Sequence, residues 1–371
     1  MSTMPGKPRY IMVGGFLGAG KTTAILQLAQ RLSAQGLKVG LITNDQSVGL
    51  VDTALLEAQA FPVEEITGGC FCCRFNSLVE AANKLTERLR PDVFIAEPVG
   101  SCTDLQATVS YPLRRIYGDD FSIAPLSVLV DPIRALRVLG VEEGKAFSPK
   151  VLYVYAKQLE EAQFILINKT DLVSPERLAA LKSALRERFG GEVLEISARQ
   201  GRGMEGWLMR LQQQCQDGPA MQVDYEEYAE GEALLGWLNV TLRQRAEKAV
   251  DGNQLLRYLA REVQGQVQAK GVEVAHLKMT LAPEEGADIG VINLVRNDGE
   301  PELAYQLQAD LAAGTLLINL RAEGDPEGLR ASVVQAVEKA ARDMRTQLTV
   351  EHIEAFRPGR PQPTHRMGVA T

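Results

Sequence analysis

The stretch Gly15-Phe16-Leu17-Gly18-Ala19-Gly20-Lys21-Thr22 constrains this chain more than any other. It fits the phosphate-binding loop pattern G-x-x-x-x-G-K-[ST] and stands in the context that pattern requires. An apolar run, Tyr10 to Val13, reads as a buried strand before it, and Ala24 to Ala29 reads as a helix after it. Glycines let successive N–H groups turn toward phosphate oxygens, and the helix start adds its positive dipole end. Gly15, Gly18, Ala19, Gly20, Lys21, Thr22 and Thr23 are therefore candidate nucleotide-binding residues. Lys21 supplies a point charge for the β- and γ-phosphates, and the Thr22 hydroxyl can ligate Mg²⁺.

Strands and helices alternate through about the first 210 of 371 residues. Apolar runs at Leu37–Thr43, Val93–Ala96, Leu126–Val130, Phe164–Ile167 and Val193–Ile196 read as buried strands, with helices at Asn76–Leu89 and Glu176–Arg188 between them. This pattern predicts an α/β domain with a mostly parallel, doubly wound sheet over residues 1–213. Residues 214–233 are polar and acidic and read as a linker. The order then changes, and residues 234–356 read as a smaller α+β domain of mixed or antiparallel pairing, with a ferredoxin-like arrangement as one option. Residues 357–371 are basic and proline-rich, which reads as an extended, solvated tail.

A net charge of −7 argues against a large nucleic-acid footprint. No apolar run is long enough to span a membrane, and the first residues lack a signal-peptide core, so the expected compartment is the cytoplasm. Five cysteines are too few and too unevenly placed for a disulfide scaffold.

The polar segments at predicted strand ends carry the chemistry, because ligands bind at that edge of a doubly wound sheet. Asn168-Lys169-Thr170-Asp171 follows an apolar strand. A carboxylate at Asp171 can accept from the ring N–H and the exocyclic amino group of guanine, a donor pair adenine lacks. Asn168 would tie this loop to the phosphate loop, and Ser197-Ala198 would meet the guanine oxygen through backbone. Glu97 closes the strand predicted to neighbour the phosphate loop and can hold Mg²⁺ or its waters, while Gly100 lets backbone approach the γ-phosphate. Lys21, Thr22 and Glu97 are the candidate catalytic groups. Asp45, after the second strand, is a candidate nucleotide sensor and Mg²⁺ contact, within a segment at 44–52 that reads as a switch.

Cys70, Cys72 and Cys73 form the rarest feature. Three thiols this close, behind Gly68-Gly69, can converge on one soft cation as thiolates and leave a fourth position open for exchange. A redox pair or a buried apolar cluster are the other readings, and a disulfide would need Cys70 or Cys102 because adjacent cysteines pair poorly.

The phosphate loop, Gly68-Gly69-Cys70-Phe71-Cys72-Cys73, Glu97-x-x-Gly100 and Asn168-Lys169-Thr170-Asp171 occur in the order seen in the CobW-like GTPases, which this chain resembles over roughly residues 9 to 215. The resemblance implies a GTP-dependent metallochaperone. It would use GTP/GDP and Mg²⁺, and carry one divalent ion, Zn²⁺ or Co²⁺, on the cysteines. It would load that ion into a client metalloprotein or cofactor-biosynthesis enzyme, working as a monomer or as a nucleotide- or metal-dependent dimer, with no nucleic-acid or membrane partner. Family members often carry Asn-Glu-Phe-Gly where this chain has Asn44-Asp45-Gln46-Ser47, and the histidine-rich metal store of some members is missing. Two other classes compete: a G-protein that gates enzyme assembly without carrying metal, and a P-loop small-molecule kinase. A kinase needs neither the cysteines nor the Asn168–Asp171 loop.

Overall fold

The computed structural model describes residues 7–45, 51–118, 120–213 and 220–368. The chain divides into two compact units. The first comprises Met1–Gln46, Phe61–Ala229 and Pro361–Thr371, and the second Ser47–Ala60 and Glu230–Arg360.

The elements run β1 (Arg9–Gly15), α1 (Lys21–Ala34), β2 (Val39–Asn44), α2 (Val51–Ala58), β3 (Val63–Ile66), α3 (Phe75–Leu89) and β4 (Val93–Glu97). A π-helical turn at Gln106–Ser110 leads into α4 (Tyr111–Ile116), followed by β5 (Ser122–Ile123), β6 (Ser127–Val130), α5 (Pro132–Val138) and α6 (Pro149–Glu160). Next come β7 (Phe164–Ile167), α7 (Pro175–Arg188), β8 (Glu192–Glu195), α8 (Met204–Leu211) and α9 (Tyr225–Leu234). In the second unit follow β9 (Leu235–Val250), α10 (Gly252–Ala269), β10 (Glu273–Pro283), β11 (Gly290–Leu294), β12 (Glu302–Tyr305), β13 (Leu311–Glu323), α11 (Pro326–Asp343) and β14 (Gln347–Phe356).

In the first unit a parallel sheet has the order β3-β2-β4-β1-β6-β7-β8, with β5 pairing alongside β1. Strands β1, β2, β4, β6 and β7 are buried almost throughout, as expected where helices cover both faces. The order reverses around β1, so the loop leaving its carboxyl end lies at the switch point where such sheets bind ligands. Helix α1 turns Ala24, Ile25, Leu28, Ala29 and Leu32 inward at helical spacing. Helix α3 does the same with Phe75, Leu78, Ala81, Ala82 and Leu85.

In the second unit the sheet is antiparallel throughout, in the order β12-β11-β10-β13-β9-β14. Setting aside the β11–β12 hairpin, the chain reads β-α-β-β-α-β, the ferredoxin-like arrangement. Helices α10 and α11 bury Leu255, Leu259, Val263, Leu329, Val333 and Val337 in one core with the sheet. Among the described residues no helix is long and apolar enough to cross a membrane.

Three features differ from the sequence reading. The segment read as a linker over 214–233 ends in helix α9, with Tyr228 fully buried; residues 214–219, which include Cys215, lie outside the described residues. Residues 51–58, read as part of the nucleotide-binding domain with no helix assigned to them, form α2 and pack in the second unit. Lys278 Nζ pairs with Asp52, Asn319 Oδ1 accepts from Val51 N at 3.0 Å, and Leu55 packs on Ile289 and Val291. Its apolar residues match a surface of β10, β11 and β13 that is distant in sequence. Residues 46–50 of the predicted switch segment lie outside the described residues. Finally, the tail is extended but not solvated, because residues 361–368 lie along the first unit and bond to it.

Candidate functional site

The predicted site residues gather at the carboxyl edge of the parallel sheet: those after β1, Asn44 and Asp45 at β2, Glu97 at β4, Asn168 to Asp171 after β7, and Ser197 and Ala198 after β8. Gly20 takes φ +89°, and a Cβ there would come within 2.5 Å of Asn168 Nδ2. Only glycine serves at that point. The close approach lets Asn168 Nδ2 donate to Ala19 O at 2.9 Å, while Asn168 Oδ1 accepts from Ala198 N at 3.0 Å. One buried amide thus ties three loops together. Ala198's N–H, read as a contact for the guanine oxygen, is engaged with Asn168 in this arrangement.

Lys21 is buried, and its Nζ donates to Gly15 O at 2.9 Å and lies 3.9 Å from Glu97 Oε1. Thr22 Oγ1 donates to the same carboxylate oxygen at 3.2 Å. Asp171 Oδ1 accepts from Ser197 Oγ at 2.5 Å, which fixes the carboxylate's rotamer. Thr23, half-buried, follows Thr22 in the first turn of α1. Asp45 donates through its backbone N to Ile66 O at 3.1 Å, at the edge of the described segment.

Two residues under the phosphate loop were not foreseen from sequence. Asp131 caps α5 by accepting from Arg134 N at 2.9 Å and pairs with Lys169 Nζ at 2.9 Å. Burial alone would raise its pKa, but the charges of Lys169 and Arg134 outweigh it and hold the carboxyl at about 2. Lys169, left-handed at φ 54°, also donates to Gly18 O at 2.7 Å. Arg134 Nη1 donates to Leu17 O at 2.6 Å, its guanidinium set against the rings of Phe16 and Phe147. Asp131-Pro132 is legible as a helix start; its grip on Lys169 is a long-range contact with no local signal.

The cysteines form a second centre. Cys70 Sγ lies 2.7 Å from Cys72 Sγ and 3.3 Å from Cys73 Sγ, and the last two are 3.6 Å apart. All are free thiols, with Cys70 and Cys72 buried and Cys73 partly exposed. Among the described residues this is the one group of its kind able to hold a metal ion. Around a tetrahedral Zn²⁺ at ~2.3 Å per bond, sulfurs sit roughly 3.8 Å apart, so an incoming ion would spread the cluster. Hydrogen bonds from Cys102, Cys72 and Cys73 hold the Cys70 thiol well below its ordinary range. Cys72 is raised well above its ordinary range by its bond to Cys70, and Cys73 is pushed up to about 11 by the same neighbour. Cys70 therefore carries the first negative charge, and metal binding has to displace the other protons.

Contacts join the two centres. Asn44 Nδ2, at the end of β2, donates to Ile66 O at 3.0 Å and to Gly69 O at 2.7 Å, next to Cys70. Buried Cys102 bonds to Cys70 and stands in the loop that leaves Glu97. In that loop, a Cβ at Gly100 would come within 2.7 Å of Leu17 in the phosphate loop. Gln158 Nε2 donates to both Gly100 O and Cys102 O at 2.9 Å, holding the loop's shape. Beneath it, burial pushes the Glu161 carboxyl up to about 8, against the bonds it accepts from Gln106 N and Thr103 Oγ1.

Residues 9–191 match the family model for the CobW/HypB/UreG nucleotide-binding domain. The zinc chaperone CobW of a Sinorhizobium species is 31% identical over an alignment covering 56% of this chain and 63% of that protein. The zinc chaperone YeiR of Escherichia coli is 29% identical, covering 55% of this chain and 58% of its own. The chain thus spans about three fifths of the length of these curated relatives. The solved structure of HypB from Helicobacter pylori in complex with nickel aligns with a TM-score of 0.40 at 17% identity, covering 54% of this chain and 84% of that one. The phosphate loop, Glu97 and the Asn168–Asp171 loop all lie within residues 9–191, the stretch that matches the CobW/HypB/UreG nucleotide-binding domain.

Proposed function

We propose that this chain is a GTP-hydrolysing metallochaperone that holds one divalent ion on Cys70, Cys72 and Cys73 and releases it to a client according to nucleotide state. One observation carries this reading: the loop that begins at Glu97, packs Gly100 on the phosphate loop and ends at Cys102 is bonded to the thiol cluster. Rearrangement of that loop on loss of the γ-phosphate would shift Cys102 against Cys70, so nucleotide and metal would be linked. The thiol-rich donor set suits a soft or borderline ion, and the zinc chaperones among the relatives support Zn²⁺ ahead of Co²⁺. The client would be a metalloprotein or a cofactor-biosynthesis enzyme.

At the nucleotide, the N–H groups of the Gly15–Thr22 loop would cradle the phosphates. Lys21 would exchange Gly15 O for phosphate oxygens and stabilise charge on the transferring phosphoryl group. Thr22 and Glu97 present an oxygen-only donor pair that fits Mg²⁺, with Asp45 as a further contact. When bound, that ion supplies charge neutralisation at the β- and γ-phosphates. Asp171, held by Ser197, would read the two guanine donors.

Asp171→Asn tests the base assignment. It removes one charge-assisted bond and opposes a donor to a donor, so GTP binding should weaken roughly 10–150-fold. Xanthine nucleotides, which carry a carbonyl acceptor in place of guanine's exocyclic amino donor, should bind the variant better than guanine nucleotides do. Displacement of a labelled nucleotide measures both. Equal competition by ATP and GTP against the unaltered protein would contradict the guanine assignment.

A further inference from the structure

The C-terminal segment lies on the thiol cluster. Gln362 N donates to Cys73 Sγ at 3.1 Å, Thr364 N to Cys72 O at 2.8 Å, and Thr364 Oγ1 to Cys73 O at 3.1 Å. The His365 ring meets Phe75, two residues past the motif, edge-on at 5.0 Å. Arg366 Nε pairs with Asp104 Oδ2 at 2.7 Å, and its Nη2 donates to Met221 O at 2.9 Å. Met367 N then donates to Ala107 O at 2.8 Å, in the π-helical turn. Asp104 is 1% exposed, so the ion pair is anchored in the body of the unit.

We propose that residues 362–367 are a strap that closes the cysteine centre and sets the rate at which metal enters and leaves. This rests on the reading of Cys70, Cys72 and Cys73 as the metal site. Cys70 and Cys72 are buried, so an ion, or a client ligand that receives it, must approach through Cys73. That is the thiol the strap covers, and Thr364 bonds the carbonyls of both Cys72, through its backbone, and Cys73, through its hydroxyl. Lifting it breaks several hydrogen bonds and strips the buried Asp104 of its cation. Opening is therefore a discrete event rather than fraying of a chain end. A client that presents an extended segment with its own cation to Asp104 would replace the strap as it takes the ion.

The test compares the full chain with a chain ending at Arg360 and with Thr364→Pro, which removes both Thr364 hydrogen bonds without touching the sheet. Unchanged GDP affinity would report that the variants remain folded. In metal-free protein, an aromatic disulfide reagent should label Cys73 at least about tenfold faster in both variants, because the opening step is gone. In zinc-loaded protein, release to an excess of a chromophoric pyridylazo chelator should accelerate similarly. Unchanged labelling and release would overturn the strap. Faster labelling with unchanged zinc release would overturn its control of metal exchange. Failure of the full chain to retain zinc would overturn the metal reading of the cysteines, and the labelling rates would still decide whether the segment covers Cys73.

Discussion

Lys21→Ala is expected to reduce GTP hydrolysis by roughly 10²–10³-fold, the loss typical when one preorganised group facing developing charge is removed. Lys21 is buried between Gly15 O and Glu97, and no other side chain from the phosphate loop brings a cation to that place. The variant should still fold. The lost bond to Gly15 O is worth only about 1 kcal/mol, and the loop remains tied by Asn168 to Ala19 O and by Lys169 to Gly18 O. Phosphate release at saturating GTP measures the effect. Retention of more than about a tenth of the unaltered rate would contradict the role given to Lys21.

The second large effect concerns the metal. In a Cys70→Ser, Cys72→Ser, Cys73→Ser variant, zinc should be held no more tightly than about 1 μM, or ~8 kcal/mol. Serine keeps the approximate volume of each side chain but offers a hydroxyl that does not ionise near neutral pH. Cys102 would remain, but a single buried thiol cannot build a site that three converging sulfurs form. The side chains assigned to phosphate and base, Lys21, Thr22 and Asp171, bond to other partners than these sulfurs, so GDP binding should persist. Zinc affinity unchanged in the triple variant would place the metal elsewhere.

The features that were legible in sequence are those in which chemistry is local. The Gly15–Thr22 loop, Asn168 to Asp171 and the three cysteines each sit within a few residues, and the alternation of apolar strands with helices announced the parallel sheet. Asn168 was expected to tie its loop to the phosphate loop, and its side chain bonds Ala19 O. The second unit was read as an α+β domain of mixed or antiparallel pairing, with a ferredoxin-like arrangement as one option, and register shows that every pairing is antiparallel. What escaped is tertiary. Arg134 reaches Leu17 O across 117 positions, and Arg366 reaches Asp104 across 262. Nothing in the composition of a proline-rich, basic tail distinguishes one that docks from one that stays in water. Helix α2 was missed because Val51 to Ala58 is short and its apolar face answers to β10, β11 and β13 rather than to its sequence neighbours.

The central claim is that nucleotide state changes the hold on metal, through Asn44 beside Gly69 and through the Glu97-to-Cys102 loop beside Cys70. Linkage requires that if GTP and GDP alter zinc affinity, zinc alters theirs by the same factor. The most direct measurement is a competition titration of zinc against a chromophoric chelator, run on the full chain with GDP and with a non-hydrolysable GTP analogue, both with Mg²⁺. A coupling of ~1–3 kcal/mol predicts zinc affinities that differ roughly 5–150-fold between the two states. Identical affinities would contradict the account, even if the cysteines bind the ion.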